Sequence, residues 1–282
     1  MDKKIFFDNV RGSLFGGSIP ASAVQALDAI IDEAIKSGAS AAEAAYMMAT
    51  AYHEVGQKLI PVRENLNYTK AETIRAVWPS RFKTLASAVP YVKQPKKLAN
   101  KVYGGRLGND NVNDGWNYRG GGLAQTTGED NFKMVKAYSG VDVVANPSLI
   151  TRLDVSVIAL VHCMLDGVYT GKKLSDFNLP AQNFDARGII NGDKNRVENG
   201  VKIGNKIDGY ASKFLIGLTR AGYGLPSPVP VLAPVPEAPA KDEGKKAPIA
   251  ATAGLVGFGV VYAAWDWLSS IPCNWLSLFC GN

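Results

Sequence analysis

Residues 224–248, GLPSPVPVLAPVPEAPAKDEGKKAP, decide the layout of this chain before any other feature does. A Pro-rich stretch of low complexity cannot form a packed core and behaves as a stiff, partly extended spacer. It divides the 282 residues into a first region of 1–223, a linker of 224–248 and a tail of 249–282. The first region is long enough to bury a substantial core. Folding and chemistry must be sought there.

Within it the apolar spacing is helical. SAVQALDAIIDEAIKSG stops at Gly38, and SAAEAAYMMATAYHEVG starts at a Ser40 cap with Glu43 three residues on, then ends at Gly56. Shorter helices are predicted over Lys70–Val77, Pro79–Ala88 and Pro95–Val102, and further ones over Glu129–Tyr138, Asp154–Val168 and Arg196–Leu218. No period-2 run is long enough for a real sheet. The expected class is mostly α, with at most a minor β hairpin. A long Gly/Asn-rich connection, YGGRLGNDNVNDGWNYRGGG, interrupts the helices; such loops inside compact domains usually carry function, here as the wall of a cleft.

Charge narrows the partners. Residues 1–224 hold 28 Lys or Arg against 21 Asp or Glu. That excess suits an anionic partner: an envelope polymer, a membrane surface or nucleic acid. No Lys/Arg cluster interleaved with aromatics appears, which argues against nucleic acid. With only His53 and His162, and with HEVGQ in place of HExxH, no metal site is expected. Cys163 lies in the apolar VIALVHCML and reads as a buried thiol, and His162 beside it as a satisfied core histidine. MDKKIFFDNVRGSLF has no long apolar region and no small-residue cleavage site, so no secretory signal peptide is expected.

Two acids flank a helix end. Glu54 falls in the last turn of its helix, on the face of Met47, Thr50 and Ala51, where burial and the helix dipole would both disfavour the anion. Glu64 sits in VRENLNYT among Arg63, Asn65 and Asn67, surroundings expected to favour the charged form. Two carboxyls pushed apart in this way make a candidate acid/base pair. The same residues read equally well as a polar cap on the core and a surface pair of Glu64 with Arg63. His53 reads as a packing group rather than a proton carrier, and Trp116 as either a sugar platform or a loop anchor.

HEVG followed by ENLNY, then YRGGGLAQTTGEDNF at 118–132 and IINGD at 189–193, resembles glycoside hydrolase family 19, most closely its lysozyme-type members found as phage endolysins. NKVYGGRLGN, DGWNYRG and VANPSLI add to the resemblance, which spans about residues 20–217 in the family's motif order. It implies a bilobal, lysozyme-like helical domain with a deep cleft that hydrolyses β-1,4 bonds to N-acetylglucosamine-type sugars with inversion and without a cofactor. By position it implies Glu54 as general acid, Glu64 as general base and Thr127 as a hydroxyl that helps hold the water. Gln125, Asn131 and Asn191 would bind the sugar chain, and Tyr68 and Tyr118 would line the cleft. Three departures weaken the supporting shell: Gly121 replaces the second arginine of YRGRG, Thr126 replaces leucine in QLTG, and Arg187 is offset from the arginine before ING. The cation that positions a carboxylate is therefore left among Arg63, Arg119 and Arg187.

Residues 249–265 carry no charge, near the minimum for a membrane-spanning helix, with Lys241, Lys245 and Lys246 before them and Trp265, Trp267 and Trp275 after. The expectation is a C-terminal transmembrane helix with the lysine side cytoplasmic. Ala250/Gly254 and Gly259/Ala263 hint at association into a homo-oligomer, and Cys273 and Cys280 would then face an oxidising periplasm. Together these features suggest a phage-type peptidoglycan hydrolase anchored to a host or virion membrane. The alternatives are a chitinase of the same family and a non-enzymatic virion protein that binds wall glycan.

Overall fold

The computed structural model describes residues 1–224; the linker, the apolar run and Cys273/Cys280 lie outside the described residues. The described part is mostly helical. Helices α1 (Lys3–Phe15), α2 (Ala21–Lys36) and α3 (Ala41–Val55) come first, then strand β1 (Val62–Arg63). A run of short elements follows: α4 (Ala71–Val77), α5 (Leu85–Ala88), α6 (Pro95–Tyr103), α7 (Asp114–Asn117) and β2 (Gly121–Gly122). The described residues end with α8 (Glu129–Ser139), α9 (Leu153–Asp166), α10 (Asn183–Ala186), β3 (Val197–Glu198), β4 (Val201–Lys202) and α11 (Ile203–Arg220).

Helix α3 is the axis of the main body. Ala44 to Tyr52 are all buried, the pattern of a helix enclosed on every side rather than amphipathic. It packs on α11, α2 and α9, whose apolar faces join α1 in one large core. Ser40 and Glu43 form the expected reciprocal cap at its start, and Gly56 takes φ +74 just past its end. A second core of Leu66, Ile74, Phe82, Leu98 and Val102 belongs to a smaller lobe built from residues 66–106. A third, around Phe132 and Ile150, lies beneath α8 and α9. Among the described residues no helix is long and apolar enough to cross a membrane.

Several boundaries differ from expectation. The helix predicted over Pro79–Ala88 shrinks to Leu85–Ala88: Pro79 disfavours helical backbone at Trp78, and Thr84 with Ser87 caps a new start. The one predicted over Arg196–Leu218 begins only at Ile203, because Asn199 and Gly200, both at positive φ, turn β3 back onto β4. Helix α1 was not expected. Asp2 caps it, and Phe6, Val10 and Leu14 bury one face. His162 is not enclosed in the core: it pairs with Glu33 of α2 at 2.8 Å and stacks on Tyr138. Cys163 is buried as expected, and burial pushes its thiol up to about 12.

Candidate active site

Glu54 and Glu64 open onto one cleft of about 750 Å³, within the size range of sites that hold small ligands. Helix α3 delivers Glu54 and His53 from the main body. Glu64 arrives on the extended chain just after β1, where its backbone N–H donates to Gly120 O at 2.8 Å. The smaller lobe closes the opposite wall with Val77, Trp78, Tyr103 and Arg106.

The strand pair β1–β2 is held by Arg63, whose guanidinium donates to the carbonyls of Pro147 and Asn117. Its stem runs where a side chain at position 121 would lie. A Cβ on Gly121 would come within 2.7 Å of Ile150 and 3.0 Å of Arg63 Cδ. A side chain at position 121 would thus collide first with Ile150 and then crowd the Arg63 stem, which leaves no room here for the second arginine of the YRGRG pattern. Arg63 tethers the wall and makes no hydrogen bond to either carboxylate.

The cation at a carboxylate is Arg187. It is buried, its Nη1 donates to Glu54 Oε1 at 2.5 Å, and its Nε and Nη2 fork onto Asp193 at 2.7 and 3.2 Å. Burial alone would raise the Asp193 carboxyl, but the hydrogen bond and charge of Arg187 hold it below the usual carboxylate range. Glu54 Oε2 has no hydrogen-bond partner among the described residues. The expected apolar seat of Glu54 is correct on the helix side, where Met47, Thr50 and Ala51 are fully buried, and is replaced by this ionic pair on the other.

Glu64 reverses its expectation. Burial raises its carboxyl above the usual range, and the Tyr103 hydrogen bond, the Gly120 backbone, Arg119 and Arg63 only partly oppose that. Tyr103 Oη lies 3.0 and 2.8 Å from the two carboxylate oxygens and donates to them. Arg119 is close, but its Nε donates to the Glu64 backbone carbonyl and its guanidinium stacks on Trp116 at 3.6 Å. His53 lies in the cleft with its imidazole pushed down by burial, Glu54 partly offsetting.

The loop from β2 to α8 supplies the floor. Gln125 adopts φ +52, uncommon for a residue with a side chain, and its amide donates to Gly122 O at 3.0 Å. Thr127 Oγ1 donates to Gln125 O at 2.9 Å, and Asn131 Nδ2 to Thr127 O at 2.7 Å. Asn191 Oδ1 accepts from Asp193 N. All four line the cleft.

Two expected cleft residues lie elsewhere. Tyr118 is buried in the third core against Phe132, with its hydroxyl on Val144 O, because α7 turns its ring inward. Tyr68 packs edge-on behind Trp78 and backs the wall without lining it. Trp116 anchors the loop, its backbone N–H on Asn100 Oδ1. Sequence reasoning passed over Tyr103 and Asp193, although VYGG and IINGD both stand among the motifs it singled out. Among the described residues no group of three His, Cys, Asp or Glu side chains is placed to hold a metal.

No family model matches the chain. Over 118 residues it is 36% identical to a Haemophilus influenzae protein described as a glycosyl hydrolase family 19 domain-containing protein. The aligned stretch covers 40% of this chain and 56% of that relative, so the chain spans about half the relative's length. What the chain is similar to, by this measure, is a family 19 glycosyl hydrolase domain.

Proposed function

We propose that this protein is a family 19-type glycoside hydrolase acting as an endolysin-like muramidase on the β-1,4 bonds of bacterial peptidoglycan. The observation that carries the reading is the meeting of Glu54 and Glu64, from a helix end and a strand end, in one cleft. The similarity to a family 19 domain supports it.

Inverting hydrolysis needs an acid on one side of the glycosidic bond and a base with its water on the other. In this reading Glu54 donates through Oε2 to the leaving oxygen, while its Oε1 keeps the Arg187 hydrogen bond. Glu64 takes a proton from a water that Thr127 helps to hold, and Tyr103 fixes the plane of the base. Gln125, Asn131 and Asn191 bind the sugar chain. Arg187 orients the acid and neutralises Asp193 beside it. The linker and apolar tail would tether the enzyme to a membrane in phage-mediated lysis or wall penetration.

Mass spectrometry of products from purified peptidoglycan tests the chemistry. A reducing sugar end is expected by mass, and proton NMR of the fresh product should show its anomeric configuration inverted. An anhydro end would replace hydrolysis by transglycosylation, and faster cleavage of chitin than of peptidoglycan would move the substrate.

A further inference from the structure

The excess positive charge of residues 1–224 is confined to one lobe. Leu66 to Arg106 hold nine Lys or Arg and one acid, Glu72, while the rest of the described residues hold 19 basic against 20 acidic side chains. All nine cations are exposed. Every ion pair among the described residues lies outside this segment. Elsewhere lysines such as Lys3 and Lys136 are neutralised by neighbouring aspartates. Nine uncompensated charges on a lobe of this size repel one another at the separations a Debye length of about 8 Å leaves unscreened. A fold gains nothing from that, whereas an anionic ligand does.

The lobe's position selects the ligand. Val77, Trp78, Tyr103 and Arg106 make it one wall of the cleft, so a polymer threaded past Glu54 and Glu64 runs along it. Away from the cleft wall its aromatics are not offered for base stacking: Phe82 is buried, and Tyr91 packs against the lobe core. We propose that the Leu66–Arg106 surface binds carboxylates carried on branches of the same glycan whose backbone occupies the cleft. It would thereby favour an acidic, peptide-substituted glycan over a neutral one. This rests on the glycoside hydrolase reading for the cleft but acts through different residues.

The test uses the full chain with Lys96→Gln, Lys97→Gln and Lys101→Gln combined. These replace exposed α6 side chains that do not line the cleft. KM for peptidoglycan at about 0.02 M salt should rise roughly fivefold, while KM for a neutral N-acetylglucosamine oligomer moves less than about twofold. At about 0.3 M salt the wild type should fall to the variant's level. Binding is read separately by pelleting a Glu54→Gln background with purified wall sacculi. Amidation of the sacculus carboxylates should weaken the pelleting of the parent and erase its advantage over the triple variant. Equal KM changes on both substrates, or binding indifferent to amidation, would overturn the proposal. So would tighter binding to anionic vesicles or nucleic acid than to sacculi. A chain that pellets as expected yet cleaves neither polymer would sink the hydrolase reading and leave the surface standing.

Discussion

The two carboxylates of the cleft are held by opposite physics. Glu54 ends a buried helix and meets a guanidinium that is itself shared with Asp193, so charge is answered by charge. Glu64 follows a two-residue strand and meets a phenol, while its nearest guanidiniums, Arg63 and Arg119, spend their hydrogen bonds on backbone carbonyls. Burial therefore dominates at Glu64 and raises its carboxyl. One fold thus gives two glutamates ten residues apart different partners in one cleft, a guanidinium at Glu54 and a phenol at Glu64.

Removing each acid should have the largest effect. Glu54→Gln and Glu64→Gln should each lower kcat on peptidoglycan by about 10²–10⁴. On a substrate with an activated aryl leaving group, Glu54→Gln should recover most of its rate and Glu64→Gln should not. Recovery by the other variant would exchange the two roles.

Next in size is Arg187→Gln, which strands Asp193 and Glu54 without their cation in a buried site. Urea unfolding should show a loss of about 3–5 kcal/mol. The sign of the pH dependence follows from Asp193, whose folded value lies below its unfolded one. The pair's stabilisation is present above the unfolded value and lost as pH falls through the depressed folded value. In Arg187→Gln that acid-side decline should flatten.

Tyr103→Phe addresses the other carboxylate. It removes the hydrogen bond that opposes burial, so the Glu64 carboxyl should rise further. A base must be ionised, so the acidic limb of the kcat profile should move to higher pH, with the rate loss fading on the alkaline side. An unmoved limb would remove Tyr103 from the positioning of Glu64.

The smallest effects separate scaffold from site. Tyr118→Phe should cost about 1 kcal/mol for the Val144 hydrogen bond and leave KM unchanged, since its ring faces the core. Ser40→Ala should cost about 1 kcal/mol through the lost cap of α3.

What was legible in the sequence were features fixed by neighbours in the chain. The Ser40 cap, the Gly56 stop and the apolar burial of Cys163 follow from local spacing and hydropathy. The Asn199–Gly200 hairpin was legible too, since that pair signals a tight turn at positive φ, yet a long helical reading absorbed it. Motif order placed Gln125, Thr127, Asn131 and Asn191 near the acids. It could not place Tyr118, because the direction of its ring depends on how α7 meets α8.

Short-range pattern alone carried the helical body and the two acids that flank one helix end. Long-range packing settled that Arg187 and not Arg63 meets Glu54. It alone brought Tyr103 to Glu64 and made the lobe of residues 66–106 one wall of the cleft. These contacts join residues 39 to 133 positions apart, and their strength comes from shared burial, which no local spacing encodes.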